Sequence, residues 1–253
     1  QPAIRDPLWS RGLGDVYKRQ MNRQRDRVQL FESGMVFKQT ANGIAQSSMI
    51  AGVVAGPRNP KSWTNGKELF DFFDLKGHVE SLIGLTGNVE EFEFLPKSHG
   101  SLHEGQCAGV LRSNDVIGFL GRVDPRLARE LDIPPSTFLF ELTLSEFRSG
   151  NLTKVSVLSK FPEVNRDLSI VVAEDVSAAA IIGCLSEQAK ELLVDVAIVD
   201  LYRSKEIGEG EKSIAISLTL QHHSRTLDDE EVSVIISKCI NELEIRFKAK
   251  LRH

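Results

Sequence analysis

Hydrophobic and polar residues follow a regular order over the last part of the chain and predict a small βαββαβ module from residue 160 onward. Leu168, Ile170 and Val172 recur with a period of two, which is typical of a half-buried strand. Asp175-Val176-Ser177 then indicates a helix start, and an Ala-rich amphipathic run continues to Leu193. The module therefore opens with a strand that leads into a helix.

Two further strands follow this helix. The first runs from Val196 to Tyr202. We expect its side chains to alternate, with Ala197, Val199 and Leu201 on one face and Ile198, Asp200 and Tyr202 on the other. Gly208-Glu209-Gly210-Glu211 indicates a turn before the next strand. That strand has one apolar face, and its other face carries only small residues, namely Ser213, Ala215, Ser217 and Thr219.

The second helix of the module has the most regular pattern. Asp228 can cap it, and Glu231 lies three residues on, at the position that completes a capping box. One apolar stripe recurs at helical spacing: Val232, Ile235, Ile236, Cys239, Ile240 and Leu243. Because two helices with one stripe each cover a single face of a sheet, we expect the other face to be open.

This open face is predicted to combine small or polar residues with one aromatic ring. Its members are Ser169, Asp200, Tyr202, Ser213, Ala215, Ser217 and Thr219. A nucleobase can approach such a surface and stack on the ring. From the pattern alone an ordinary solvated sheet face is the favoured interpretation, and base stacking stays open as the alternative.

The upstream half, residues 21–147, predicts a mixed α and β domain. Short strands are expected at Met49–Ala55, Val116–Leu120 and Phe138–Leu144, and helices at Gly66–Gly84 and Pro125–Leu131. Residues 148–159 contain Gly150-Asn151 and little periodicity, which indicates a linker.

Composition changes this picture little. The chain has 253 residues, 41% hydrophobic and 26% charged, with a net charge of −4, as expected for two soluble domains. No apolar run approaches the roughly 18–20 residues that a membrane span needs. Cys107, Cys184 and Cys239 are far apart and odd in number, which favours reduced core thiols in a cytoplasmic protein.

No motif for catalysis or metal binding stands out. The Gly208–Lys212 run is too short and too acidic for a phosphate-binding loop. His99 and His103 stand four residues apart, but Gly100 and Gly105 favour a loop and no third ligand is near. We therefore expect no catalytic residue, no metal ligand and no cofactor in this chain.

Several sequence blocks carry a family resemblance. In the last module they are Lys160-Phe161-Pro162 with Arg166-Asp167-Leu168, Asp200–Lys205, Gly210–Ala215 and Arg225–Val232; upstream they are Val28–Phe37, Asp71–Glu80, Leu102–Ala108, Gly118–Pro125 and Phe138–Leu142. In this order and spacing they resemble the β subunit of bacterial phenylalanine–tRNA ligases. One departure is Glu104, which stands where the family has a proline.

The resemblance implies an α+β fold in two parts. Residues 21–147 would form the class II synthetase-like, catalytic-like domain, which in this family is a structural partner without catalytic residues. Residues 160–253 would form the ferredoxin-fold anticodon-binding domain. The chain would then be the C-terminal portion of the subunit, and residues 1–20, which do not fit the family pattern, are expected to be a non-native leader.

The resemblance also implies the functional setting. The intact family enzyme attaches phenylalanine to its tRNA with ATP and Mg²⁺, and its catalytic centre lies in the α subunit. The implied partners are the α subunit, tRNA(Phe) and a second αβ unit in a heterotetramer, with no membrane.

Charge limits how the module could bind RNA. Residues 160–253 hold 12 Lys or Arg against 17 Asp or Glu, so a whole-domain basic signature is absent. Binding would depend on a local patch, in which phosphates contact cations and a base stacks on an aromatic ring. The candidate tRNA-binding residues are Tyr202, Arg203, Lys205, Lys212, Ser217 and Arg225.

A second class of function is compatible with the last module alone. Many unrelated regulatory or small-molecule-binding proteins use a ferredoxin-like sheet. Such a protein has no reason to carry the Phe31-Glu32 and Asp71–Glu80 blocks upstream, so these blocks favour the tRNA ligase subunit.

Overall fold

The structure is a computed structural model that describes residues 26–41, 43–87, 89–147, 159–204 and 207–252. The chain divides into two compact units, Gln1–Lys154 and Val155–His253, which are described separately below. Most of the predicted linker, residues 148–158, lies outside the described residues.

The first unit contains an antiparallel sheet of six strands in the order β1-β2-β6-β5-β4-β3. The strands are β1 Val28–Thr40, β2 Gly43–Ala55, β3 Phe92–Pro96, β4 Leu102–Arg112, β5 Asp115–Val123 and β6 Phe138–Thr143. Strands β1 and β2 pair along their whole length, but β6 pairs with β2 only from Met49 to Val54. The rest of the β1–β2 hairpin therefore extends beyond the sheet.

Helix α1, Phe72–Gly84, begins six residues later than Gly66, so the predicted start is wrong. Asp71 and Asp74 form a reciprocal capping box that sets the true start. Just before it, the backbone N–H of Phe70 donates to the carbonyl of Gly56, which holds this segment extended. The Arg58 guanidinium donates to the carboxylates of Asp74 and Asp71 at 2.9 and 3.1 Å and fixes the helix start further.

The core of the first unit lies between α1 and one face of the sheet. Its largest fully buried members include Leu75, Ile83, Leu120 and Leu142. Gly52 allows Phe140 to cross β2, because a side chain there would meet the Phe140 ring at 2.4 Å. Helix α2, Pro125–Glu130, follows β5 and is capped by Asp124.

The second unit has the predicted order of elements. These are β7 Val164–Ala173, α3 Ala178–Ala189, β8 Leu193–Tyr202, β9 Glu211–Leu220, α4 Asp229–Phe247 and β10 Lys250–Leu251. The antiparallel strand order β10-β7-β9-β8 is that of a ferredoxin-like sheet. Asp228 and Glu231 form the predicted capping box of α4. The α+β fold class is confirmed.

Both helices of this unit pack against the same sheet face. Ile214, Ile216 and Leu218 of β9 point into the core that α3 and α4 cover, and each is no more than 2% exposed. The continuous alternation predicted for β8 is wrong, because the register shifts between Ile198 and Asp200. The extra residue of this bulge puts Ile198 opposite Ile216, on the helix side.

Candidate nucleic-acid interface

The sheet face of the second unit that the helices leave uncovered carries the residues predicted for it, together with Ala197, which the predicted alternation wrongly places on the opposite face. Tyr202 pairs with Ser213, Asp200 with Ala215, and Ala197 with Ser217 across β8 and β9. On the other side of β9, Ser169, Asp167 and Asn165 of β7 oppose Ala215, Ser217 and Thr219. We call this surface the open face. The side chains at its centre are small, so the larger side chains on the edge strands project beyond them.

Tyr202 and Arg252 meet above the open face. The backbone N–H of Arg252 donates to the carbonyl of Ser169 at 2.9 Å, which continues the pairing of β10 with β7. The Arg252 side chain crosses the sheet and places its guanidinium carbon 5.3 Å from the centre of the Tyr202 ring. Ser213, which lies beside Tyr202 on β9, is 4% exposed, whereas Tyr202 itself is 44% exposed.

Arg252 was not among the residues predicted from the sequence. Its position depends on the strand order, in which only β7 and β9 separate β10 from β8, so the Arg252 side chain can reach Tyr202 across small residues. Among the described residues, Arg252 has no carboxylate partner, so its charge is available to a ligand. A planar cation over an aromatic ring is an arrangement that nucleobases and phosphates can both use.

Arg203 and Lys212 both lie against Glu174, just after the end of β7. Arg203 donates to both carboxylate oxygens of Glu174, with the shortest contact at 2.7 Å, and this hydrogen bonding lowers the pKa of Glu174. The ammonium of Lys212 donates to the backbone carbonyl of Glu174 at 2.7 Å, and Lys212 is 9% exposed. Arg203 is half-exposed, whereas Lys212 is buried near the start of β9.

Arg225 forms an ion pair with Glu231 in the first turn of α4. Its guanidinium donates to both carboxylate oxygens of Glu231 at 2.5 Å. This hydrogen bonding lowers the pKa of Glu231 from 4.5 to about 2. Arg225 therefore supports the capping box that Asp228 and Glu231 form. Lys205, the remaining predicted cation, lies outside the described residues.

The family model "Phenylalanyl tRNA synthetase beta chain CLM domain" matches residues 1–144, and "Ferredoxin-fold anticodon binding domain" matches residues 159–252. The chain belongs to the phenylalanyl-tRNA synthetase β-chain family. The resemblance predicted from the sequence blocks is confirmed.

Curated relatives agree with this membership. A phenylalanine–tRNA ligase beta subunit from Pseudomonas syringae pv. tomato is 44% identical over 250 residues, and one from Sodalis glossinidius is 40% identical over 253. Each alignment covers 99% of this chain but only 31% and 32% of the relative, so the chain spans about a third of their length. The match of the first family model begins at residue 1 and so includes residues 1–20, which we expected to lie outside the resemblance.

The β-chain domain in the first unit exposes an apolar strip on its projecting hairpin. Phe31, Met35, Phe37 and Ile44 are 76%, 51%, 62% and 66% exposed. The register places all four on one face of the hairpin, the side on which α1 packs further along the sheet. Exposed apolar surface on this scale is typical of a protein–protein contact.

The part of the chain that the structure describes contains no group of three or more side chains suited to holding a metal ion. His99 and His103 instead accept hydrogen bonds from the nearby backbone N–H groups of Ser101 and Gly105. The three cysteines are buried and free, and burial raises the pKa of Cys239 to about 11. None of the described helices is long and apolar enough to cross a membrane.

Proposed function

We propose that this chain is part of a phenylalanine–tRNA ligase β subunit and that its second unit binds the anticodon region of tRNA(Phe). The observation that carries the proposal is the Tyr202–Arg252 pair above the open face. A base can stack on the Tyr202 ring, and Arg252 can stack beside it or hold its phosphate.

The other candidate residues receive different roles from their contacts. Arg203 is half-exposed, so it can contact a phosphate while Glu174 orients it. Ser217 lies on the open face and can hydrogen-bond a base edge. The burial of Lys212 and its hydrogen bond to Glu174 argue against a phosphate contact, and the pairing of Arg225 with Glu231 assigns it first to helix capping.

The first unit supports the catalytic α subunit in this proposal. The apolar strip of Phe31, Met35, Phe37 and Ile44 supplies a surface that a partner protein would cover. Two such αβ units would form a heterotetramer in the cytoplasm. ATP and Mg²⁺ would be used by the intact enzyme at the α subunit, and no step is assigned to residues of this chain.

Two activities of the intact enzyme, the charging of tRNA(Phe) with phenylalanine and the activation of the amino acid, are measured side by side to test the anticodon proposal. Tyr202→Ala should weaken tRNA binding by about 1–3 kcal/mol, the usual loss for one stacked base. Amino-acid activation, followed by phenylalanine-dependent ATP–pyrophosphate exchange, should be unchanged because that chemistry lies elsewhere. Tyr202→Phe keeps the ring and is the matched control, with binding close to that of the unaltered enzyme.

If exchange falls as far as tRNA charging does, Tyr202 acts on the fold or on catalysis rather than on the anticodon. If neither falls, the open face is not the tRNA-binding surface. The purified chain alone should show no exchange activity, and activity there would contradict the placement of catalysis in the α subunit.

A further inference from the structure

A cavity of about 250 Å³ opens on the sheet face of the first unit, opposite the side that α1 covers. Its walls are mostly apolar and include Met49, Leu102, Val116, Phe119 and Leu139. This volume suits a compact molecule of roughly ten non-hydrogen atoms and is smaller than a drug-sized pocket. The proposed tRNA contacts lie in the second unit and make no use of it.

One carboxyl group interrupts the apolar wall. Glu141 lies at the centre of β6, between Phe119 on β5 and Ala51 on β2. It is half-buried and has no hydrogen-bond or ion-pair partner among the described residues. Burial raises the pKa of Glu141, as expected for a carboxyl without compensation. A half-buried carboxyl without a partner is costly to the fold, and a ligand that supplies a cation would offset that cost.

The surrounding charges leave Glu141 uncompensated. Glu32 lies on the same face, directly opposite Ala51 on β1, which puts it two strand spacings, or about 10 Å, from Glu141. His99 lines the cavity and stacks on Phe119 with ring centres 4.8 Å apart, and burial lowers the pKa of His99, which favours its neutral form. Lys97 packs its stem over Gly109 on this face but forms no ion pair with Glu141.

We propose that this cavity binds an ammonium group on a short aryl or alkyl body, with Glu141 receiving the ammonium and Phe119 and Leu139 enclosing the body. The ammonium could belong to a free small amine or to a lysine side chain of a docked protein. Both sources share the same chemistry, a compact cation that donates hydrogen bonds at one end of an apolar stem.

Saturation-transfer NMR with the 253-residue chain tests the proposal and tolerates self-association of the protein. The probes are phenethylamine, its neutral counterpart 2-phenylethanol, and Nα-acetyl-lysine amide. Phenethylamine should bind at least about tenfold more tightly than 2-phenylethanol, because a charged hydrogen bond is lost with the alcohol. Stronger binding of phenethylamine assigns a free amine, and stronger binding of the lysine derivative assigns a side chain.

Glu141→Gln keeps the shape of the side chain and should weaken the preferred amine by at least about tenfold. Its thermal unfolding should be unchanged or shifted upward, because an uncompensated charge is removed, and this measurement shows that the variant is folded. Glu93→Gln removes the same charge from an exposed position on β3 and should leave amine binding unchanged. Equal binding by the unaltered chain and Glu141→Gln, or binding of the alcohol as tight as that of phenethylamine, would overturn the proposal.

Discussion

Lys212 offers a sharp test of how the second unit is held together. Its ammonium donates to the Glu174 carbonyl at 2.7 Å and the residue is 9% exposed, so water cannot easily replace the contact. Lys212→Met keeps most of the stem and leaves the carbonyl unpaired, which should cost about 1.5–3 kcal/mol. Lys212→Ala also removes buried methylene groups and should cost about 1–2 kcal/mol more.

Native-state hydrogen exchange isolates the second unit without assuming that the chain unfolds in one step. The slowest amides are expected in β9, at Ile216 and Leu218, which are fully buried at the centre of the sheet. Lys212→Met should accelerate their exchange roughly 10- to 150-fold. Unchanged exchange would refute the structural role of Lys212. A variant with unchanged stability but a lower salt dependence of tRNA binding would show instead that Lys212 contacts a phosphate.

Three further predictions concern Glu231, Arg252 and the apolar strip of the first unit. The folded pKa of Glu231 is about 2 against an ordinary 4.5, so its pairing with Arg225 stabilises the fold above pH 4.5 and this contribution is lost as the pH falls toward 2. The stability of Glu231→Gln should therefore depend less on pH between 4.5 and 2 than that of the unaltered chain. In the intact enzyme, Arg252→Ala should weaken tRNA binding. If Arg252 holds a phosphate, Arg252→Ala should also reduce the slope of log K against log salt concentration by about 1, whereas Arg252→Lys should retain it. An unchanged slope for Arg252→Ala would leave only the stacking role. The chain should self-associate in sedimentation experiments, and Phe37→Ser with Ile44→Ser should reduce this, whereas a sharp concentration-independent monomer of the unaltered chain would contradict the exposed-strip interpretation.

The local pattern of the second unit was enough to predict its elements. Period-two alternation marked β7 and β9, and the Asp228–Glu231 capping box marked the start of α4. Both signals lie within a few residues of one another, so they can be recognised without knowing the fold. The open-face residues of β7 and β9 followed from the same alternation.

Contacts between distant residues could not be predicted in the same way. The bulge at Val199 reverses the side-chain phase of β8, and alternation alone does not reveal an extra residue. Arg252 reaches Tyr202 only because the strand order places small residues between them. Lys212 resembles a surface cation in the sequence, and the Glu174 carbonyl that binds it lies 38 residues away.

The cavity around Glu141 was missed for a related reason. Its walls come from β2, the start of β4 with the segment before it, β5 and β6, which the sheet brings together from different parts of the chain. A glutamate in an apolar strand gives no sign, by itself, of whether a partner compensates its charge.

The most direct test of the anticodon proposal compares two RNAs with two forms of the intact enzyme. Dissociation constants would be measured at one salt concentration for full-length tRNA(Phe) and for a shortened RNA that lacks the anticodon stem-loop, with the unaltered enzyme and with Tyr202→Ala. The account predicts that Tyr202→Ala weakens binding of the full-length tRNA by roughly 5- to 150-fold and leaves binding of the shortened RNA unchanged. An equal loss for both RNAs, or no loss for either, would contradict the placement of the anticodon on the open face.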